Sequence, residues 1–255
     1  MNVTTPNVDT IICGDCLEEM KKLPDKSVDM ILCDLPYGTS NCRWDTIIPF
    51  EALWSEYNRI VKDHAPIVLT ASQPFTSTLI LSNASNFKYE LVWLKNQGKE
   101  PQMCNMRPQK AHENIVVFCK SKTVYNPQYW QDVPYNKKAA TEPQSAVHAP
   151  GFYGLGKRNQ KQRYPLSYLY FPCVSCPEHP TQKPLELFEY LIKTYTNEGD
   201  LVLDNCIGSG TTAVAAKRTG RHFIGIELSS EYCEIARKRV AAVPARLDRW
   251  AEADA

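Results

Sequence analysis

The sequence has no apolar run long enough to cross a membrane. None of its stretches approaches the roughly 20 consecutive apolar residues that a membrane-spanning helix requires. The polar opening MNVTTPNVDT also lacks the basic and apolar regions of a secretory signal. Because both features are missing, we expect a cytoplasmic protein without a membrane partner.

Disulfide and metal patterns are also weak, although the chain has 10 cysteines. Most of them lie inside apolar, strand-like segments, where a free thiol behaves as a small hydrophobic group, so a reducing compartment is expected. The CxxC spacing of zinc sites occurs twice, at Cys13/Cys16 and Cys173/Cys176. However, 157 positions separate Cys16 from Cys173, and the first pair brackets a Gly-Asp turn. We therefore expect no metal.

Net charge is nearly absent, at +1 for the whole chain, but its distribution is uneven. Residues 1–94 carry 7 Lys/Arg and 12 Asp/Glu, residues 95–170 carry 12 and 4, and residues 171–255 carry 10 and 12. The middle segment therefore has a net charge of +8 between flanks of −5 and −2. Such a local excess of positive charge is typical of a surface that contacts a polyanion.

Short apolar runs alternate with helical patterns over most of the chain. Strand-like runs are TIIC, VDMILC, PIVLTA, ELVWLKN, NIVVFCK, DLVLD and HFIGIEL, and helical spacing is found in DCLEEMKKL, FEALWSEYNRIVK, LELFEYLIKTYT, TTAVAAKR and EYCEIARKRVAA. This alternation predicts an α/β fold with a parallel sheet covered by helices. Residues from about 121 to 170 have no dependable period and are rich in turn-forming and polar residues, so we expect part of this stretch to be a long or mobile loop.

A glycine-rich turn follows one buried strand, in VLDNCIGSGTTAVAA (202–216). The strand ends at Asp204, and Gly208 and Gly210 permit a tight turn with close backbone approach before a helix begins. The next strand ends at Glu227, where a carboxylate can accept hydrogen bonds from a ribose diol. This arrangement predicts a nucleotide site. The segment GSGTTA also fits the G-x-G-x-x-A pattern of a nicotinamide-binding unit, and a turn without a ligand is the third interpretation.

A second strand ends on an acidic residue beside a flat ring. The run VDMILC is followed by DLPYG, which places Asp34, Pro36 and Tyr37 directly after a buried strand. Nicotinamide-dependent dehydrogenases have no use for this segment. In addition, Thr211 and Thr212 open the helix of the glycine turn without the arginine or extended glycine loop of a pyrophosphate site. The two turns together argue against the nicotinamide interpretation.

These segments together resemble the exocyclic-amino DNA methyltransferases, which use S-adenosylmethionine and carry a D/N/S-P-P-Y signature beside a glycine-rich cofactor motif. The order DLPYG, basic segment, HPTQKP (179–184) and glycine turn is similar to that of the beta group. Further matches to the family are the segments ICGDCLEEMKKLPDKSVD, HENIVVFCK and RYPLSYLYF. The resemblance implies a circularly permuted, Rossmann-like methyltransferase fold, in which a mostly parallel sheet has helices on both faces and an inserted target-recognition region.

Three segments follow from that order. Residues 1–94 would form the catalytic part of the methyltransferase domain, residues 95–170 a basic insertion that includes the target-recognition region, and residues 171–255 the cofactor-binding part. Within the insertion, four basic residues lie in a Gly- and Gln-rich stretch without core periodicity, so we expect them to contact DNA phosphates. They are Lys157, Arg158, Lys161 and Arg163.

The resemblance assigns catalysis to DLPY. Asp34 would accept a hydrogen bond from the target amino group, the carbonyl of Leu35 would accept the other, and Tyr37 would stack on the extruded base. The family usually has Pro where this chain has Leu35. A backbone carbonyl does not depend on its side chain, so the acceptor is retained while Pro36 holds the turn.

The resemblance also implies a set of cofactor contacts. Asp15 and Cys16 would flank the adenine, Glu227 the ribose and the backbone of residues 205–211 the methionine part, with Thr181 and Lys183 near its carboxylate. The full set is Asp15, Cys16, Asp34, Thr181, Lys183, Asp204, Asn205, Cys206, Gly208, Ser209, Gly210, Thr211 and Glu227. The family usually has D-P-F at 204–206, so Cys206 stands where an aromatic ring is usual.

The leading hypothesis is an adenine-N6 methyltransferase, because the cytosine-N4 enzymes of the family favour Ser at the position of Asp34. Cytosine-N4 methylation is the alternative activity, and an inactive, cofactor-binding module that binds DNA is the alternative of another class. We expect double-stranded DNA as a partner, a monomer or homodimer, and a cognate restriction endonuclease as a second candidate partner.

Overall fold

The computed structural model describes residues 7–39, 42, 45–99, 101–131, 162–175 and 182–244. The chain divides into a large unit, Met1–Asn126 with Ser167–Ala255, and a small unit, Pro127–Leu166. None of the helices in these described stretches has both the length and the apolar character that crossing a bilayer would require.

The strands and helices alternate along the described part of the chain. The strands are β1 (Thr10–Cys13), β2 (Met30–Asp34), β3 (Ile67–Ala71), β4 (Phe87–Lys99), β5 (Lys110–Phe118), β6 (Trp130–Gln131), β7 (Gln162–Arg163), β8 (Tyr168–Tyr170), β9 (Leu201–Asp204) and β10 (His222–Glu227). The helices are α1 (Cys16–Met20), α2 (Phe50–Ile60), α3 (Phe75–Ser82), α4 (Leu185–Tyr195), α5 (Thr211–Arg218) and α6 (Ser230–Ala241).

Eight of these strands form one sheet in the large unit, in the order β1-β10-β9-β2-β3-β5-β4-β8. The first five strands of that order are mutually parallel, and β8 is parallel to β4. Only β5 runs against its neighbours, pairing antiparallel with β3 and with β4. The mostly parallel sheet predicted from the sequence is therefore confirmed.

The central strand β2 shows why the sheet needs helices on both faces. Its first four residues are all buried, and successive side chains of a strand point to opposite faces. Ile31 and Cys33 join one hydrophobic core, whereas Met30 and Leu32 join the other. An apolar run without polar alternation is what a strand covered on both faces requires.

The two cores divide the helices. The core that contains Ile31 also receives Met20 of α1, Tyr57 of α2 and Leu79 of α3. The core on the other face receives residues of α4, α5 and α6, such as Phe188. The α/β fold has the predicted helices on both faces of the sheet.

The small unit contains β6 and β7, which pair antiparallel with Trp130 opposite Arg163. The rings of Tyr129 and Tyr164 meet edge to face with their centroids 5.1 Å apart. These strands were not predicted, because two residues are too few to show a period.

Two further elements were missed. The helix α3 has the sequence FTSTLILS, whose Thr and Ser residues have low helix propensity. The helix is stabilised by the packing of its apolar residues in the core on one face of the sheet. The three-residue strand β8 gains its conformation from pairing with β4. In both cases tertiary contacts outweigh the local preference of the sequence.

Candidate active site

The candidate site lies at the carboxyl edge of the parallel strands. β2 and β9 are neighbours, but the chain continues from β2 to β3 on one side and from β9 to β10 on the other. In open α/β sheets, ligands bind outside the carboxyl ends of the strands at such a switch in strand order. The strands end here at Asp34, Asp204 and Glu227. Three predicted carboxylates therefore share one edge.

Asp34 is held by donors from three parts of the chain. Its Oδ1 accepts a hydrogen bond of 2.7 Å from the Tyr37 hydroxyl and a second from the hydroxyl of Thr70 on β3. Its Oδ2 lies 2.5 Å from the ammonium of Lys183. The carboxylate is thus fixed in direction, and its charge is balanced by a buried cation. The resemblance placed Lys183 near the cofactor carboxylate, whereas in the structure its ammonium contacts Asp34.

Thr70 was not predicted, although a signal for it exists. It is the polar residue near the carboxyl end of PIVLTA, and the register of β2 and β3 places it beside Asp34. Neighbouring parallel strands that end together bring their last side chains together. A rule based on polar residues at strand ends would have found it.

Tyr37 is packed on one ring face. Its ring stacks on Phe75 with centroids 5.1 Å apart and an interplanar angle of 25°. Burial, together with the nearby carboxylates of Asp34 and Glu113, raises the pKa of the Tyr37 hydroxyl well above its ordinary value, so the group remains a proton donor at neutral pH. Leu35 is buried in the core beside it, which anchors the turn.

The glycine turn between β9 and α5 needs its glycines for backbone reasons. Gly208 and Gly210 have φ values of 51° and 88°, a region that favours glycine. A Cβ added at Gly210 would lie 2.9 Å from the Cβ of Ala236 on α6. The amide of Gly208 donates a hydrogen bond of 2.9 Å to Oε2 of Glu227. The turn therefore joins β9, β10 and α6.

The polar side chains of this turn face the protein. One guanidinium nitrogen of Arg239 on α6 donates to the carbonyl of Ser209 at 2.6 Å and to its hydroxyl at 2.9 Å. The same nitrogen lies 3.4 Å from the Thr211 hydroxyl. Ser209 and Thr211 are both buried. The side chains of Ser209 and Thr211 thus attach the turn to α6, and Arg239 is a supporting residue that was not predicted from the sequence.

The carboxylate of Asp204 shapes the start of the turn. Its Oδ1 accepts a hydrogen bond of 3.0 Å from the amide of Cys206, and its Oδ2 accepts one of 2.5 Å from the hydroxyl of Thr212. Burial raises the pKa of Asp204 to about 6, and these hydrogen bonds offset part of that effect. The buried carboxylate of Asp204 therefore stabilises the glycine turn through its hydrogen bonds to Cys206 and Thr212.

Asn205 occupies the position where the family usually has proline. Its Oδ1 accepts a hydrogen bond of 2.5 Å from the hydroxyl of Tyr57, a fully buried residue of α2. A side-chain hydrogen bond to a neighbouring helix thus anchors the turn at this position. Tyr57 was not predicted, because the contact joins residues 148 positions apart.

Glu227 is engaged by the backbone on both oxygens. Besides the Gly208 contact at Oε2, its Oε1 accepts a hydrogen bond of 2.9 Å from the amide of Ser229. Its own carbonyl accepts a hydrogen bond of 2.9 Å from the amide of Gly14, at the end of β1. The glycine turn and the end of β1 therefore both lie next to Glu227.

Asp15 and Cys16 open the helix α1. Asp15 accepts hydrogen bonds from the amides of Leu17 at 2.9 Å and Glu18 at 3.1 Å, which makes it the N-cap. The neighbouring thiol of Cys206 and burial raise the pKa of the Cys16 thiol. Because the Cys16 thiol interacts with that of Cys206, the start of α1 lies next to the glycine turn.

Several predicted residues lie outside the described part of the chain. They are Thr181 of the cofactor set, Cys176 of the CxxC pairs, and Lys157, Arg158 and Lys161 of the DNA set. Arg163, the fourth basic residue of that set, is an exposed residue of β7.

Comparisons with known proteins identify the family of this chain. A family model described as DNA methylase, of the N6/N4 class, matches residues 28–238. The type II methyltransferase M.HpaI of Haemophilus parainfluenzae is 28% identical over 243 residues, which cover 90% of this chain and 73% of that protein. The type II methyltransferase M2.DpnII of Streptococcus pneumoniae is 29% identical over 258 residues, covering 91% and 89%.

Solved structures show the same fold. The M1.HpyAVI–SAM complex has 29% identity and a TM-score of 0.60, with 90% of this chain and 98% of that chain covered. The cytosine-N4-specific PvuII DNA methyltransferase has a TM-score of 0.63 at 17% identity, covering 90% and 85%. Since the family model spans most of the residues, including both turns of the site, the chain belongs to the N6/N4 DNA methylase family and is a DNA methyltransferase of that class.

Proposed function

We propose that the protein is a DNA adenine-N6 methyltransferase that acts on a flipped-out adenine. The observation that carries this proposal is the position of Asp34, which ends β2 beside β9 and the glycine turn, with both oxygens aligned by fixed donors. An acidic residue at the first position of the signature favours adenine over cytosine by resemblance to the family.

S-Adenosylmethionine is the methyl donor, and the acceptors at this edge fit it. A carboxylate has about four lone-pair sites, and Glu227 uses one on each oxygen for the amides of Gly208 and Ser229. The remaining sites can accept the two ribose hydroxyls. In our proposal Asp15 and Cys16 flank the adenine, and the methionine part contacts Asp34, Thr181, Lys183 and the backbone of residues 205–211.

The chain has to activate a weak nucleophile. The amino group of a base is poorly nucleophilic because its lone pair is delocalised into the ring. The bound cofactor supplies a strongly electrophilic methyl group, so the main requirement is positioning of the amine. Asp34 and the carbonyl of Leu35 would accept hydrogen bonds from its two N–H groups and free the lone pair for in-line attack, and one of these protons is released as the N–CH3 bond forms and the S–CH3 bond breaks. Pro36 would hold the turn that presents this carbonyl.

The target amine is hidden inside duplex DNA, so the nucleotide has to leave the stack. Tyr37 already stacks one ring face on Phe75. We propose that its other face takes the extruded adenine, which offsets part of the stacking lost from the duplex.

DNA affinity would come from the basic segment. We propose that residues 95–170 include the target-recognition region between a catalytic segment, 1–94, and a cofactor segment, 171–255. Lys157, Arg158, Lys161 and Arg163 would contact phosphates, which fix affinity and register without reading sequence. Because DNA is the substrate, we also propose a cytoplasmic enzyme, monomeric or homodimeric, with a cognate restriction endonuclease as a partner in the cell.

The test is to incubate the protein with radiolabelled S-adenosylmethionine and duplex DNA of random sequence, and then to identify the labelled nucleoside by mass spectrometry. We expect N6-methyladenine. Label in N4-methylcytosine would assign the other activity of the family. Cofactor and DNA binding without any labelled nucleoside would show an inactive binding module.

A further inference from the structure

Four charged side chains, of which Lys183 is buried and the other three are partly buried, form a continuous chain that ends at the candidate catalytic carboxylate. The Lys95 ammonium lies 2.5 Å from Oε1 of Glu113, and Oε2 of Glu113 lies 3.5 Å from the ammonium of Lys183. Lys183 in turn lies 2.5 Å from Oδ2 of Asp34. The side chains of Lys95, Glu113 and Lys183 are 7%, 14% and 7% exposed. Only Asp34 belongs to the signature DLPY.

The fold brings these residues together from four places. Glu113 pairs with Trp93 in the register of β4 and β5, and Lys95 lies two positions further along β4, on the same face as Trp93. Lys183 precedes the N-cap of α4, and Asp34 ends β2. Since the antiparallel strand β5 begins where the parallel strands end, Glu113 lies at the same edge of the sheet as Asp34.

The charges in this chain balance, two positive against two negative. Burial of charged groups has a desolvation cost, and the attraction between opposite charges offsets only part of it. Removing one partner would leave an uncompensated charge. The contact between Glu113 and Lys183 is the longest of the three ion pairs, at 3.5 Å. Oε2 of Glu113 is buried and makes no hydrogen bond with good geometry among the described residues. Glu113 therefore acts on Lys183 mainly through charge.

We propose that Glu113 is a positioning residue for methyl transfer, which holds the Lys183 ammonium between two carboxylates so that Asp34 stays fixed and basic enough to accept the target amine. This inference rests on the proposed function. An ammonium whose only counterion were Asp34 would draw charge from that carboxylate and weaken it as an acceptor. A second carboxylate shares the ammonium, and Lys95 keeps that second carboxylate in place.

The charge balance also sets the protonation of Lys183. Burial alone would lower its pKa, but the carboxylates of Asp34 and Glu113 outweigh burial and hold the pKa above its ordinary value of 10.5. Among the described residues, the Tyr37 ring, with its centroid 5.9 Å from the ammonium, and Lys95, on the far side of Glu113, also face this site. Without the charge of Glu113, the pKa of Lys183 should fall.

The experiment compares the wild type with Glu113→Gln, which removes the charge and keeps the shape. Single-turnover rate constants for methylation are measured across pH. At neutral pH we expect Glu113→Gln to lower the rate constant about tenfold. On the alkaline limb of the pH–rate profile, the rate constant should fall at a pH about one unit lower than in the wild type. The affinity for the cofactor should change less than about threefold. Glu90→Gln is the matched control, because Glu90 is an exposed residue of β4 and no contact with Lys183 is found for it.

A second measurement separates this inference from the proposed function. In protein labelled with ¹³C at the lysine side chains, the Lys183 signal is assigned with Lys183→Arg and followed by NMR up to about pH 10. Lys183 should begin to titrate in Glu113→Gln and remain charged in the wild type and in Glu90→Gln. This result does not depend on which base is methylated. An unshifted alkaline limb, or a Lys183 titration equal in all three proteins, would overturn the positioning role.

Folding of the variant is checked in the same samples. If Glu113→Gln is unfolded, Glu113→Asp serves instead, because it keeps the charge and shortens the side chain. We then expect a lower rate constant with the alkaline limb near its wild-type position. A wild-type rate in Glu113→Asp at every pH would contradict a role in positioning.

Discussion

The hydroxyl of Tyr37 lies 2.7 Å from Oδ1 of Asp34, while the ring of Tyr37 stacks on Phe75. One side chain therefore aligns the candidate catalytic carboxylate and presents a ring face at the same edge of the sheet. These two tasks can be separated by mutation, because Tyr37→Phe removes the hydroxyl alone, whereas Tyr37→Ala removes the hydroxyl together with the ring.

Tyr37→Phe should keep the stacking face and lose only the hydroxyl, which donates to Asp34 and also lies 3.2 Å from the hydroxyl of Thr70. A hydrogen bond to a charged group contributes about 1.5–3 kcal/mol, so we expect the rate of methyl transfer to fall about 10- to 100-fold on any substrate. Tyr37→Ala should cost more on paired duplex DNA than on DNA with a mismatched target, where flipping is easier. Single-turnover rates on both duplexes test this. Equal losses for Tyr37→Ala on the two substrates would exclude a stacking role.

Asp34→Ala should abolish methyl transfer while appreciable cofactor binding is retained. The carboxylate acts mainly on the target amine, and loss of one preorganised electrostatic contact typically lowers a rate constant at least about 100-fold. Labelled methyl incorporation and calorimetric cofactor titration measure the two effects. Asp25→Ala is a control, because the side chain of Asp25 is 74% exposed. Full activity of Asp34→Ala would refute the catalytic assignment.

Glu227→Gln should weaken cofactor binding and spare the chemistry of the bound complex. The neutral amide has one oxygen, so it cannot serve Gly208, Ser229 and the ribose together. Hydrogen bonds to a charged group contribute about 1.5–3 kcal/mol, which corresponds to a loss of affinity of about 10- to 100-fold. Calorimetry gives the affinity, with the exposed Glu231→Gln as the control. An unchanged dissociation constant would remove Glu227 from the cofactor site.

Neutralising Lys157, Arg158, Lys161 and Arg163 together should weaken DNA binding and flatten its dependence on salt. Each phosphate contact that is lost removes about one released counterion from the slope of log K against log salt. Cofactor affinity should barely change. Fluorescence anisotropy at several salt concentrations provides the measurement. A slope equal to that of the wild type would move the recognition surface elsewhere in residues 95–170, with Lys95–Lys110 as the next candidate.

The buried carboxyl of Asp204 should leave a signature in the pH dependence of stability. Its pKa in the folded protein is raised from an ordinary 3.8 to about 6, so between these values the folded state binds more protons than the unfolded state. The stabilisation is thus present below the lower value and is lost as pH rises through about 6. A shift of about 2 pKa units corresponds to about 3 kcal/mol.

Asp204→Asn removes this titration. Relative to the wild type, its free energy of unfolding should rise by about 3 kcal/mol between about pH 4 and pH 7, on top of a constant offset from altered hydrogen bonds. Denaturant unfolding at a series of pH values compares the two proteins. Parallel curves would show that Asp204 is not perturbed by burial.

The sequence allowed the sheet edge to be predicted because the carboxyl ends of parallel strands meet. Asp34, Asp204 and Glu227 could be placed at one edge from apolar runs and turns alone. The partners of these residues could not be placed in the same way. Lys183 lies 149 positions from Asp34, and only the packing of α4 against the sheet brings them together.

The residues contributed by β4 and β5 could not be placed at the site from the sequence either. Glu113 and Lys95 fall in segments that the apolar pattern identifies as strands, yet the pattern does not show which strand end faces the site. That depends on β5 running antiparallel beside β3. Local periodicity carries no information on strand order, which is why the charged chain was missed.

Arg239 has a practical consequence for anyone who shortens or tags the protein. The guanidinium reaches back from α6 to the glycine turn, and a Cβ added at Gly210 would lie 2.9 Å from the Cβ of Ala236 on the same helix. A fusion junction or a truncation point therefore has to lie beyond α6. A fragment cut before this helix would keep every signature motif and still lose the support of its glycine turn.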